Sequence, residues 1–123
     1  MLVRKVHYHQ QAKTLDVYFD NGAMVSFSAE FLRVLSPSAE VKGHSPATAT
    51  LVANKKQVVI SKINPVGHYA LRLVFDDGHN SGLYSWQYFE HLANNQEALW
   101  QDYLKKLSSS NATRESLINI KTL

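Results

Sequence analysis

The sequence predicts an α+β fold: a mainly antiparallel β-sheet built from a duplicated hairpin–helix unit, with helices packed on one side. Three observations lead there. Two stretches of the chain repeat one another, hairpin signals dominate both, and no alternating βαβ pattern is present. Residues 15–35 read LDVYFDNGAMVSFSAEFLRVL and residues 71–92 read LRLVFDDGHNSGLYSWQYFEHL. Leu15, Val17 and Phe19-Asp20-Asn21-Gly22 match Leu71, Leu73 and Phe75-Asp76-Asp77-Gly78, 56 residues later. After one inserted residue, Ser28, Phe31, Leu32 and Leu35 match Ser85, Tyr88, Phe89 and Leu92.

The elements follow in order. RKVHYHQ, residues 4–10, reads as a first strand that pairs with residues 15–19. LDVYF alternates apolar and polar residues, the period of a half-buried strand. Asn21-Gly22 and Asp77-Gly78 are dipeptides favoured where both central turn residues need positive φ, which predicts type I′ hairpin turns. MVSFS and GLYS return as second strands. Helices then begin near Ala29 and Trp86, with Ser28 and Ser85 as N-caps whose hydroxyls accept an otherwise unpaired N–H. Residues 36–47, SPSAEVKGHSPA, form a Ser-, Pro- and Gly-rich loop. Lys55-Lys56 is expected in a hairpin turn, residues 57–66 in a strand that stops at a proline, and HYALRLVF, residues 68–75, in the clearest strand. NQEALWQDYLKKL, residues 95–107, places Leu99, Tyr103, Leu104 and Leu107 on one helical face, acids early and lysines late as the helix dipole prefers. One domain is expected over residues 1–107, followed by a mobile or loosely docked tail over 108–123.

Composition removes several chemistries. The chain has 123 residues, 45% of them apolar and 19% charged, enough for one core of its own. It has no cysteine, so disulfides, thiolate catalysis, cysteine zinc sites and iron–sulfur ligation by this chain alone are excluded. No apolar run approaches membrane-spanning length and the first residues lack a signal-peptide core, so a cytoplasmic location is expected. The net charge is +3, but the basic residues are scattered without a stripe, and nucleic-acid binding is not expected. P-loop, G-x-S-x-G and Rossmann patterns are absent.

His79 is the residue that hairpin geometry does not require, because the first repeat has Ala23 in its place. Either it is a polar turn residue bonded to a neighbour, or it centres a histidine-based metal or small-ligand site with His44 or His68 as helpers. His7 and His9 share one side of a strand, a spacing that can bind a divalent metal but reads here as an exposed face; His91 sits on the second helix. Asp76 and Asp77 point to opposite faces if extended, and Asp77 is explained by turn chemistry. Tyr84 and Trp86, with Tyr69 and Tyr88, either line a binding surface or fill the core.

LRVLSPSAEVKGH and INPVGHYALRLVFDDGHNSGLYSWQYFEHL together closely resemble a small bacterial family of unknown function, similar to the N-terminal domain of gamma-butyrobetaine hydroxylase. The resemblance spans roughly residues 4–107, and its G-x-Y-A-L-x-L-x-F-D-D-G-H-x-S-G-L-Y-S-W block is highly specific. In those hydroxylases the resembling domain holds zinc with a C-x-C-x-x-C loop and a later histidine. Aligned through Leu32-Arg33, the cysteine positions fall on Ser36, Ser38 and Val41, and the histidine on His79. Neutral serine hydroxyls are poor zinc ligands, so no metal or cofactor is expected, and His79 is expected to tie the turn to the 36–44 loop by hydrogen bonds to Glu40, Ser36 or Ser38.

The resemblance also bears on function. The hydroxylases' iron and 2-oxoglutarate sites lie in a separate catalytic domain, for which this length leaves no room, so neither dioxygenase activity nor any catalytic residue is expected. A similar domain occurs fused to Mrp-type P-loop ATPases that carry iron–sulfur clusters. That implies a non-enzymatic accessory or protein-interaction domain assisting iron–sulfur protein maturation, with such an ATPase or an iron–sulfur scaffold as partner.

Overall fold

The computed structural model describes residues 1–42 and 50–117. Strands β1 (Val3–His9), β2 (Thr14–Phe19) and β3 (Met24–Ser28) lead into helix α1 (Ala29–Val34). After the one-turn helix α2 (Ala39–Lys42), strands β4 (Ile60–Val66), β5 (Ala70–Phe75) and β6 (Leu83–Ser85) lead into helix α3 (Trp86–Ser109). The strands pair antiparallel in two three-stranded sheets, β1-β2-β3 and β4-β5-β6. Each repeated unit therefore makes its own sheet, and the α+β architecture follows from packing the two against the helices.

The repeat reaches further than the sequence match, into β1 and β4. Phe19 pairs with Val3 and Phe75 with Ile60, and each ladder shifts register at the next step. The Asp20 N–H bonds to the Leu2 carbonyl at 2.9 Å, and the Asp76 N–H to the Val59 carbonyl at 3.0 Å. Those strand pairs share little sequence, since any alternating segment can satisfy such a ladder.

Both hairpin turns have one geometry, and it is not type I′. The Gly22 N–H bonds to Phe19 O and the Gly78 N–H to Phe75 O, each at 3.1 Å. One step out, Phe19 bonds to Ala23 and Phe75 to His79, each at 2.9 Å. Only the glycines take positive φ, +88° at Gly22 and +90° at Gly78; Asn21 and Asp77 do not. This is a three-residue loop, a type I turn closed by a glycine bulge, and it sets the residue after glycine as the first paired residue of the returning chain. His79 holds that position in the second unit.

Helix starts are as the sequence implies. Ser28 Oγ accepts the Phe31 N–H at 2.9 Å, and Ser85 Oγ accepts the Tyr88 N–H at 3.1 Å. The segments read as separate helices from Trp86 and from residue 95 are one helix, α3, interrupted at Asn95, where φ is −128°. The Asn95 side-chain amide donates to the His91 carbonyl at 2.8 Å, satisfying a group that the break exposes. The bend turns Tyr103 and Leu107 onto Val34, away from the main core. Among the described residues Lys55-Lys56 does not join two paired strands, since residues 50–59 carry no strand. Its segment runs beside the chain end instead: the Asn54 N–H bonds to Thr113 O and the Lys56 N–H to Arg114 O, both at 2.9 Å. Arg114 reaches across to both oxygens of the buried Glu30 carboxylate at 2.8 Å.

The core joins both sheets. Leu15, Val17 and Phe19 from β2 and Leu71, Leu73 and Phe75 from β5 point inward with Phe27, Tyr84, Leu32 and Phe89. Burial of so much aromatic and aliphatic surface is the main stabilising term. Among the described residues no helix is long and apolar enough to cross a membrane.

The turns give a clean test. A Cβ built on Gly78 meets nothing within 4 Å, so Gly78→Ala probes backbone strain alone. It should lower stability by about 1–2 kcal/mol, read as a shifted urea midpoint with an unchanged m-value.

Candidate functional site

The second turn, the start of the 36–42 segment and the end of α1 converge on one polar cluster. Its sequence logic is local. Asp77 Oδ1 accepts the His79 N–H at 3.1 Å, an Asx turn that holds the histidine's backbone in place. Asp77 Oδ2 receives Arg33 Nε from α1 and Lys55 Nζ, each at 2.7 Å. Burial pushes the Asp77 carboxyl up, but the bonds from Lys55, the His79 N–H and Arg33 outweigh it and hold the pKa at about 2.

The His79 side chain is buried and faces the loop. Its Nε2 lies 2.8 Å from Ser36 Oγ, and its Nδ1 lies 3.4 Å from Glu40 Oε2. Ser36 Oγ also accepts the Ser38 N–H at 3.3 Å. Ser38 Oγ pairs with Ser81 Oγ at 2.7 Å and accepts the Glu40 N–H at 3.1 Å. That last bond caps α2, so the loop, expected without structure, contains a helical turn that its own serine starts. Burial, then the Arg33 charge, push the His79 pKa below its ordinary value, against Glu40 and Asp77. A neutral ring with its proton on Nδ1 satisfies every contact: Nδ1–H toward Glu40, and the Ser36 hydroxyl donating to Nε2.

Three of the four positions that align with the hydroxylase zinc ligands, Ser36, Ser38 and His79, are thus linked through the hydrogen bonds of one cluster. Val41, the fourth, packs as a buried apolar residue. These hydroxyls and one imidazole make a hydrogen-bonded tie where thiolates would make a metal clamp. The sequence Ser36 hydroxyl, His79 imidazole, Glu40 carboxylate also has the order of a nucleophile, its base and an orienting acid. Ser36 is 0% exposed, however, and a Cβ on Gly82 would overlap its Oγ. A substrate carbonyl has no approach to that oxygen.

The other expected residues lie elsewhere. Tyr84 is in the core, its hydroxyl donating to the Leu32 carbonyl and its pKa raised by burial. His68 is in the turn before β5, roughly 20 Å of strand from His79 at about 3.3 Å per residue; its carbonyl accepts Trp86 Nε1 at 2.7 Å. His44 lies outside the described residues. Trp86 is half-buried beside exposed Tyr69, Met1 and Leu2, lining a cavity of about 390 Å³. The sequence did not single out Arg33, Lys55 or Ser81. Asp77 was assigned to the turn, which it serves with one oxygen only.

Two expectations follow. His79→Ala should cost about 1–3 kcal/mol, the value of unmaking buried hydrogen bonds, and speed amide exchange at residues 38–42 while sheet amides stay protected. The pH dependence separates the groups. A histidine whose folded pKa lies below 6.5 contributes stability that is complete above 6.5 and declines as pH falls below it, because the unfolded chain then binds the proton more readily. Asp77 adds a second loss between 3.8 and about 2. Urea midpoints measured against pH should show the first decline in the native protein and a smaller one in His79→Ala.

Comparison with known proteins bears on the family and the fold. The family model described as gamma-butyrobetaine hydroxylase-like, N-terminal, matches residues 6–90. None of the curated proteins matches the chain. One protein solved by NMR in solution is 48% identical, covering 97% of this chain and 89% of its own, with a TM-score of 0.80. A second NMR structure is 39% identical over 99% of this chain and 96% of its own, with a TM-score of 0.81. A crystal structure from Acidithiobacillus ferrooxidans, of a protein of unknown function in the DUF971 family, is 28% identical over 75% of this chain and 92% of its own, with a TM-score of 0.58. The match across residues 6–90 and the paired-hairpin fold shared with these structures lead to one assignment: this chain belongs to the gamma-butyrobetaine hydroxylase-like N-terminal family.

Proposed function

We propose that this chain is a non-enzymatic accessory domain that docks on a protein partner in iron–sulfur cluster maturation, an Mrp-type P-loop ATPase or a cluster scaffold. The observation that carries the reading is the division of labour between the cluster and the surface. The Ser36–His79 cluster is closed and spends its polar groups on holding a loop. One outward patch is apolar and aromatic: exposed Met1, Leu2 and Tyr69 line a cavity with Trp86, Ser85 and Gln87, and Leu83 on the same short strand as Ser85 is also exposed. Aromatic anchors beside a shallow apolar cavity are the anatomy of a protein-binding patch. The iron–sulfur assignment rests on the family's resemblance to domains fused to such ATPases.

The test is retention of a purified, cluster-loaded Mrp-type ATPase, and separately of a cluster scaffold, on the immobilised chain under anaerobic conditions. The expected result is saturable binding that Tyr69→Ala and Leu83→Asp each weaken about tenfold or more, with His79→Ala close to native. Failure to retain either protein overturns the proposal.

A further inference from the structure

The outward face of the first sheet carries a second polar cluster, remote in role from the His79 tie. In the β1–β2 ladder His7 stands opposite Asp16, and in the β2–β3 ladder Asp16 stands opposite Ser26. His9, two residues along, projects to the same side as His7, and the two rings lie 4.3 Å apart between centroids. His9 Nε2 is 2.8 Å from Asp16 Oδ2, while Ser26 Oγ donates to Asp16 Oδ1. The carboxylate is thereby divided: one oxygen is fixed by a serine and the other turns toward the histidines. The flanking Leu15 and Val17 are fully buried, so these side chains stand on a fixed ladder rather than on a loop.

We propose that His7, His9 and Asp16 bind a divalent transition-metal ion such as Zn²⁺, Ni²⁺ or Cu²⁺, with Ser26 positioning the carboxylate. Two imidazoles from an H-x-H strand and an oxygen from the next strand are a donor set suited to these ions, and leave a coordination position open for water or a small anion. Calcium and magnesium prefer all-oxygen shells. Among the described residues no three His, Cys, Asp or Glu side chains stand where they could hold a metal ion, so binding must bring the donors together around a gap beside Asp16 Oδ2. A hydrogen bond between His9 and Asp16 fills the gap instead, and the incoming ion replaces it. His7 is exposed, and binding requires its ring to turn toward that gap. Ser26, holding Oδ1, leaves Oδ2 free for the ion, the usual part of an outer hydrogen-bond partner. The site is independent of the proposed docking role.

Zinc chloride titrated into tag-free protein by calorimetry, with histidine side-chain NMR spectra at each point, tests the assignment. One equivalent should bind, moving the ring signals of His7 and His9 while those of His68, His79 and His91 stay in place; calcium chloride should move none. Ser26→Ala should weaken zinc about tenfold, and His7→Ala and Asp16→Asn by more. His7→Ala changes an exposed residue and stays readable even where a variant at Asp16 folds poorly. Absence of zinc binding, shifts centred on His79, or native affinity in either His7→Ala or Asp16→Asn would overturn the three-ligand site.

Discussion

Asp77 joins stretches of chain that are far apart in sequence. One oxygen fixes the turn through the His79 N–H, and the other gathers Arg33 from α1 and Lys55 from the segment before β4. With the turn set, the His79 ring is aimed at Ser36, and Ser36 and Ser38 then hold the loop. The carboxylate sits at the edge of the surface, where its side chain is only partly screened by water. Here the two positive charges and the His79 N–H offset its partial desolvation and keep it ionised. The loop geometry is a consequence of that balance.

The two halves of the molecule share a plan and use it differently. Turn, bulge and helix cap coincide bond for bond. The residue after the glycine is alanine in one and histidine in the other, so only the second half can reach across to a loop. The first half instead places its polar groups on the outer side of its sheet, around Asp16. The two units offer equivalent frames, and the side chains that the frame leaves free differ between them.

Sequence reasoning reached most of the frame because it rests on local chemistry. Glycine at a turn, serine before a helix and alternating apolar residues each report a short-range rule. The strand repeat of β1 and β4, the continuity of α3 through Asn95 and the tail's ladder with residues 54–56 depend on partners distant in the chain, and no local signal records them. The same distinction holds at the site. His79 stood out because its counterpart is alanine, and its direction followed from the aligned loop. Arg33 and Lys55 look like ordinary solvent-facing cations until the fold brings Asp77 between them. Tyr84 was ambiguous for a related reason: an aromatic residue on a short strand has the same spacing whether it faces the core or the solvent.

Gly82 lies just before β6, where the chain crosses Ser36. A side chain there would collide with the serine hydroxyl and crowd the Tyr84 ring and Pro37. Position 82 is therefore not free to vary while the Ser36 hydroxyl keeps its place. Any side chain at 82 requires the Ser36 hydroxyl to leave its place against the His79 ring. The bare backbone at one glycine thus leaves the room in which the loop's tie to the turn is made, whatever atoms make that tie.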